Sequence, residues 1–203
     1  MRPVRRYVGG ASRRHRGGDL RIECTRPGEL EVVLLKLEQA GAQVEVGDDW
    51  FRVSRDPHTL LKPIDMSTWT FPGFPTDLQA QYMALMTQAD GESVISEYVH
   101  ENRFQHVREL AKMGAGITVE GRLHAIVHGP ARLRGTELAI PDIRSGAALV
   151  IAALCAEGDS LLRNAWHVER GYEDMVGKLA SAGARIKSVS VDSDGNPGSP
   201  TYE

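Results

Sequence analysis

KLEQAGAQVEV at 36–46, ELAKMGAGITV at 109–119 and KLASAGARIKSVSV at 178–191 are one pattern written three times: an amphipathic helix that stops at Gly-Ala, then an alternating, β-branched run. The three glycines, Gly41, Gly114 and Gly183, lie 73 and 69 residues apart. Each stands where a helix C-terminus favours a residue of positive φ, so it reads as a stop signal and the run after it as a strand. A second shared element precedes two of them. PTDLQAQYMALMTQADGESVISE (75–97) and IPDIRSGAALVIAALCAEGDSLLRN (140–164) both read as a proline with an aspartate just after it, an apolar helix, an acidic residue, Gly and a strand, with Asp77 and Asp142 as side-chain N-caps. The unit is helix, strand, helix, Gly-Ala, strand, turn, strand. Its first helix is apolar on nearly all sides and is expected to be buried, and its second is amphipathic and faces solvent on one side. The expected fold is α/β, built by repetition.

The first unit is incomplete. GGDLRIECTRPGELEVVLLKLEQAG (17–41) runs parallel to EGDSLLRNAWHVERGYEDMVGKLASAG (157–183), but where the other units have an apolar helix this one has RPVRRYVGGASRRHR (2–16). Residues 1–16 hold six arginines and no acid, so a chain of net charge −3 has a body of −9. A surface basic tail, a nucleic-acid or lipid patch, and loss of the missing helix by truncation, a mis-called start or a frame change are the three readings of this stretch. The expected division is an atypical Arg-rich segment over 1–17, one domain over 18–191 and a flexible tail over 192–203.

Composition narrows the classes. With 24 basic against 27 acidic side chains, the chain is not expected to bind nucleic acid in general. The longest apolar run, 146–156, is too short for membrane insertion, and no apolar stretch with a cleavage site follows the N-terminal arginines. Cys24, expected in a strand, and Cys155, expected in a buried helix, have no metal or redox spacing and suggest a reducing compartment. His100, His106, His124, His128 and His167 make no metal constellation: the i, i+4 pair His124 and His128 falls in a strand hairpin, where that spacing does not converge. Trp50, Trp69 and Trp166 read as core or hairpin residues.

Four stretches carry a resemblance: FPGFPTDLQAQ (71–81), EYVHENRFQHVRELAKMGA (97–115), PDIRSGAALVIAALCAEG (141–158) and HVERGYEDMVGKLASAGA (167–184). Together, over about 18–191, they resemble the C-terminal part of the UDP-N-acetylglucosamine 1-carboxyvinyltransferase family of enolpyruvyl transferases. The resemblance implies an inside-out α/β fold of βαβαββ-like units around a pseudo-threefold axis, and a chain that is one of the family's two domains. The cysteine loop and the lysine–asparagine pair of the other domain are not found in this sequence.

The family's reaction moves the enolpyruvyl group of phosphoenolpyruvate to the 3-hydroxyl of UDP-N-acetylglucosamine and releases phosphate, in the cytoplasm, at the committed step of peptidoglycan synthesis. It calls for a carboxylate beside the hydroxyl and several fixed cations, with no cofactor and no metal. Matched residue by residue, the resemblance makes Asp77 the candidate general base at the sugar hydroxyl and gives Asp142 a supporting part in proton transfer. Arg144 and Arg170 would bind phosphoenolpyruvate, since a guanidinium fork meets carboxylate or phosphate at two points with a charge that does not titrate. Val99 would touch the UDP-sugar through its backbone, although a plain strand residue explains it equally. Glu101, Asn102 and Arg103 are supporting residues, Arg103 as part of a cationic wall or as an ion-pair partner of Glu101 or Glu109. Three functional classes remain open: an enzyme, an inactive fragment or ligand-binding half that needs a separate chain to supply the missing domain, and an Arg-tailed interaction protein. Loss of the buried first helix predicts a destabilised or self-associating protein.

Overall fold

The computed structural model describes residues 4–9 and 18–191. An opening strand, β1 (Val4–Gly9), precedes the first repeat, which consists of β2 (Gly18–Ile22), α1 (Glu31–Gln39), β3 (Gln43–Val46) and β4 (Phe51–Arg55). The second runs β5 (Met66–Ser67), α2 (Gln79–Met86), β6 (Glu92–Ser96), α3 (Val107–Lys112), β7 (Gly116–Glu120) and β8 (His124–His128). The third runs β9 (Glu137–Ala139), α4 (Ile143–Cys155), β10 (Ser160–Arg163), α5 (Trp166–Glu169), α6 (Met175–Ser181) and β11 (Ile186–Val191). The repeat read from the sequence is therefore present, and Gly41, Gly114 and Gly183 stop their helices at φ of 103°, 96° and 90°.

Each repeat has its own sheet. The second is ordered β5-β6-β8-β7, with β5 and β6 parallel and the other pairs antiparallel. The third has the same pattern, β9-β10-β1-β11, again parallel at its first pair and antiparallel at the others. Thus β1, from the Arg-rich segment, takes in the third repeat the place that β8 takes in the second. It pairs with β11 from Val4↔Val191 to Gly9↔Ile186. Among the described residues, the first sheet, β2-β4-β3, has no parallel edge strand and no apolar helix, and none of its strand residues is buried. The expected tail over 192–203, and the rest of 1–17, lie outside the described residues.

These residues fall into two compact units. One holds β1, Gln105–Gly114 and 132–191, and the other holds 18–104 and Ala115–Ala131. The units do not follow the repeats because α3, encoded in the second repeat, belongs with the third. There the buried Glu109 accepts the Ala139 amide of β9 at 2.9 Å and the Lys112 ammonium at 2.7 Å. The apolar helices are buried as expected: α2 buries Ala80, Met83 and Met86, and α4 buries a continuous run from Ser145 to Val150. Both make the cores of their units, the first with Ile95 and Val127 and the second with Leu138 and Leu162.

Several local expectations are corrected. Cys24 lies past the end of β2, in a bend with φ of 56°, and Cys155, the last residue of α4, is exposed, two residues after Ala153, the last buried residue of that helix. Trp69 and Trp166 are exposed, whereas Trp50 sits in the β3–β4 hairpin. No helix among the described residues is long and apolar enough to cross a membrane.

Candidate active site

The first group of residues lies in the unit that contains β6. The FPTD stretch enters α2 through a short 3-10 turn, Thr76–Leu78, so the residue at the α2 N-cap is Leu78 and no side chain caps it. Asp77 is thus not the cap expected of it. It faces Arg103, whose Nη1 lies 3.3 Å from its Oδ1 and 2.9 Å from the Thr76 hydroxyl. Arg103 is mostly covered and Asp77 mostly exposed, which makes this a partly solvated pair of modest strength. Arg103 is paired with neither Glu101 nor Glu109, the partners considered from the sequence. Glu101 instead reaches Arg122 at 3.3 Å on the surface, and Asn102 takes the left-handed conformation, φ 60°, that turns the chain there.

Val99 is not in a strand. β6 ends at Ser96 because the next residue, Glu97, folds its carboxylate back onto the chain: Oε1 accepts the amides of Val99 at 2.9 Å and of His100 at 3.0 Å. Oε1 also accepts the Thr68 hydroxyl at 2.7 Å, and Oε2 accepts the Thr76 hydroxyl at 2.9 Å. Glu97 is fully buried. Sequence reasoning missed it, because a glutamate closing the run ESVIS reads as an ordinary polar strand boundary. The one available signal was the company it keeps in EYVHENRF.

The second group lies in the unit that contains α4. Asp142 is the N-cap expected of it: Oδ1 accepts the amides of Arg144 at 2.9 Å and Ser145 at 3.1 Å, and Oδ2 the Ser145 hydroxyl at 2.5 Å. Burial alone would raise its pKa. The bonds from Ser145 and Arg144 and the nearness of His106 outweigh burial and hold the carboxyl below its ordinary value. Both oxygens are thus committed to the helix end, and the anion is the favoured form. His106 is fully buried, and burial pulls its imidazole down to about 4 against the opposing pull of Asp142.

Arg144 occupies the second position of α4, inside the first turn. Arg170 is not near a helix start. It follows the four-residue α5 as its C-cap, with the guanidinium 5.4 Å from the Trp166 ring centre, and the next helix, α6, starts behind its Asp174 cap. At that end of a helix a cation meets the carbonyls favourably. The turns that carry the two arginines touch: a Cβ built at Gly171 would run into Ile143 Cδ1, so the residue after Arg170 lies against the residue before Arg144. Gly146 makes the same close approach one turn on, against Val168 of α5.

Residues 17–179 match the family described as EPSP synthase (3-phosphoshikimate 1-carboxyvinyltransferase). The chain is 48% identical over 174 residues to the UDP-N-acetylglucosamine 1-carboxyvinyltransferase of Acidobacterium capsulatum, covering 85% of this chain and 39% of that protein. It is 45% identical over 174 residues to the protein of the same name from Brucella ovis, covering 86% and 40%. The chain therefore spans about two fifths of the length of the curated relatives it matches. Among solved structures it is similar to the enolpyruvyl transferase NikO from Streptomyces tendae, with TM-score 0.76 and 30% identity over 86% of this chain and 41% of that one. EPSP synthase from Acinetobacter baumannii, at TM-score 0.55 and 15% identity over 83% of this chain and 47% of that one, shares the fold.

Proposed function

This chain belongs to the EPSP synthase (3-phosphoshikimate 1-carboxyvinyltransferase) family, and from that premise we propose that it is the part of a UDP-N-acetylglucosamine enolpyruvyl transferase that holds phosphoenolpyruvate and faces the sugar hydroxyl. In this reading the 3-hydroxyl oxygen bonds to the enol carbon and gives up its proton, and the bond to phosphate breaks, releasing phosphate. Asp77 is the base beside the hydroxyl. Arg144 and Arg170 hold the carboxylate and phosphate of phosphoenolpyruvate, a small, highly charged ligand that fixed guanidinium groups bind without changing protonation. The Val99 amide is engaged by Glu97, so a backbone contact to the UDP-sugar at that position falls to its carbonyl oxygen. Glu101 and Asn102 shape the turn beside it, and Asp142 keeps the Arg144 turn in place through its capping bonds. No cofactor or metal takes part. The reaction belongs in the cytoplasm, at the committed step of peptidoglycan synthesis, and so bears on cell-wall biogenesis, cell shape and division.

The observation that carries this reading is the Asp77–Arg103 pair at 3.3 Å, which joins the FPTD and ENRF stretches, 26 residues apart in sequence, in one group. Its span, about two fifths of its relatives, favours a second reading, a ligand-binding half completed by a separate chain. An active site in a cleft works by converging charges from both walls and excluding water, so one wall alone should lose most of the rate. The test is titration of the chain with phosphoenolpyruvate and with UDP-N-acetylglucosamine, followed by phosphate release with both. Binding that is lost in Arg144→Ala and Arg170→Ala supports the proposal. Retained binding without turnover selects the half-site form, and turnover abolished by Asp77→Asn selects the complete enzyme. A chain that binds neither ligand overturns both.

A further inference from the structure

Glu97 is a fully buried carboxylate that touches no residue matched to the reaction by resemblance except through its own hydrogen bonds, and those bonds have a direction. Thr68 Oγ1 accepts the Tyr98 amide at 2.9 Å, so its single proton is left for Glu97 Oε1, 2.7 Å away. Thr76 Oγ1 accepts Arg103 Nη1 at 2.9 Å, so its proton is left for Glu97 Oε2, also at 2.9 Å. The Val99 and His100 amides can only donate. All four bonds to Glu97 therefore run inwards, the acceptor-only role of an ionised carboxylate. Three consecutive amides, 98–100, are tied to it directly or through Thr68. The Glu97 amide is itself held by the Leu123 carbonyl at 2.7 Å.

We infer that Glu97 is the positioning residue of this half-site: its buried charge fixes the 98–100 backbone on one side and, through the Thr76 hydroxyl, aims the Arg103 guanidinium at Asp77 on the other. The inference deepens the proposed function and rests on it for the identity of the ligand, but not for the geometry. A carboxylate in this place does what an amide could not. Glutamine offers one acceptor oxygen instead of two, so its amino group faces the Thr76 hydroxyl proton in the place of Oε2, or the Thr68 proton and two amides in the place of Oε1. A buried network with one reversed member loses more than the single bond, because the donors left facing each other are out of reach of water. The consequence is a coupling between the backbone that meets the sugar and the side chains that meet its hydroxyl.

The full chain tests this with three variants. In Glu97→Gln, amide hydrogen exchange at residues 98–100 should quicken at least about tenfold, one unit of the network's local stability, while α2 and β6 keep their protection. Thr76→Val cuts only the relay, so exchange at 98–100 should stay as in the parent while the Arg103 guanidinium NMR signals shift and lose their protection, and Thr76→Ser should restore them. With UDP-N-acetylglucosamine as the probe, Kd should rise about tenfold in both Glu97→Gln and Thr76→Val and return in Thr76→Ser. Unchanged exchange at 98–100 in a folded Glu97→Gln overturns the inference. So do Arg103 signals that do not respond to Thr76→Val, a result that still decides if Glu97→Gln fails to fold. If the parent chain takes no UDP-N-acetylglucosamine, the functional reading fails, and the exchange and Arg103 measurements still decide the part played by Glu97.

Discussion

His106 shows how a single residue links burial to pH. Its imidazole is inaccessible, and burial brings it to about 4 from the ordinary 6.5, although the Asp142 charge pulls the other way. Between those two values the unfolded chain binds a proton that the folded chain refuses, so stability is full above pH 6.5, declines as the pH falls through the window and levels off near 4. The full loss is on the order of 3 kcal/mol. Asp142, whose folded value is depressed, adds stability that is present above 3.8 and is lost only at still lower pH. Urea unfolding of the parent and of His106→Gln, followed by exchange in α4, checks this: the parent's midpoint should fall between about pH 7 and 4 and the variant's should stay flat. Parallel profiles would reject it. The site was only partly legible at this scale. A motif can mark Asp77, Arg103, Asp142 and Arg144, but a buried carboxylate such as Glu97 takes its meaning from hydroxyls at 68 and 76, which the sequence keeps more than twenty residues away.

The elements were the most legible part, because Gly41, Gly114 and Gly183 end helices for a reason that is local to the backbone. Where reading failed, tertiary contacts had decided. The stretch after Asn164 carries a helical pattern, yet it divides into α5 and α6, since Asp174 adopts positive φ and Gly171 must pass against Ile143. The same packing gives α4 a glycine where a helix would prefer alanine. A Cβ at Gly146 would strike Val168 Cγ2 and come within 2.8 Å of Ile140 Cγ2, both on ordered neighbours. Alanine gains about 1 kcal/mol in helix propensity there, while overfilling a packed contact costs about 1–3 kcal/mol. The cost should win. Gly146→Ala is expected to lower the unfolding free energy by about 1 kcal/mol, read as a shift in denaturant midpoint at unchanged slope. A rise in the midpoint would mean that α5 yields easily and does not clamp the Arg144 turn.

Across the whole chain, the repeat is completed in one place and left open in another. A basic tail attached to the body is one of the three sequence readings of the Arg-rich segment, and an Arg-tailed interaction protein predicts that its removal abolishes partner binding while leaving the fold intact. The sheet order argues otherwise, since β1 lies between β10 and β11 and meets β11 over six residue pairs. Among the described residues no other strand bridges the gap: without β1, β10 and β11 lose their shared neighbour, and the edge groups so exposed invite pairing with another chain. Each net ladder bond contributes about 0.5–1.5 kcal/mol, so deleting residues 1–9 should cost at least about 3 kcal/mol, beyond the range of an ordinary surface change. Thermal unfolding and light scattering of the deleted chain provide the measurement, with a lower transition and concentration-dependent association expected. The first repeat's sheet, with no buried strand residue, should already make the parent prone to self-association, and the deletion should add to it. A deleted chain that melts at the parent's temperature as a monomer would return the segment to the status of a tail, and the third sheet would then have to be stable with β10 and β11 apart.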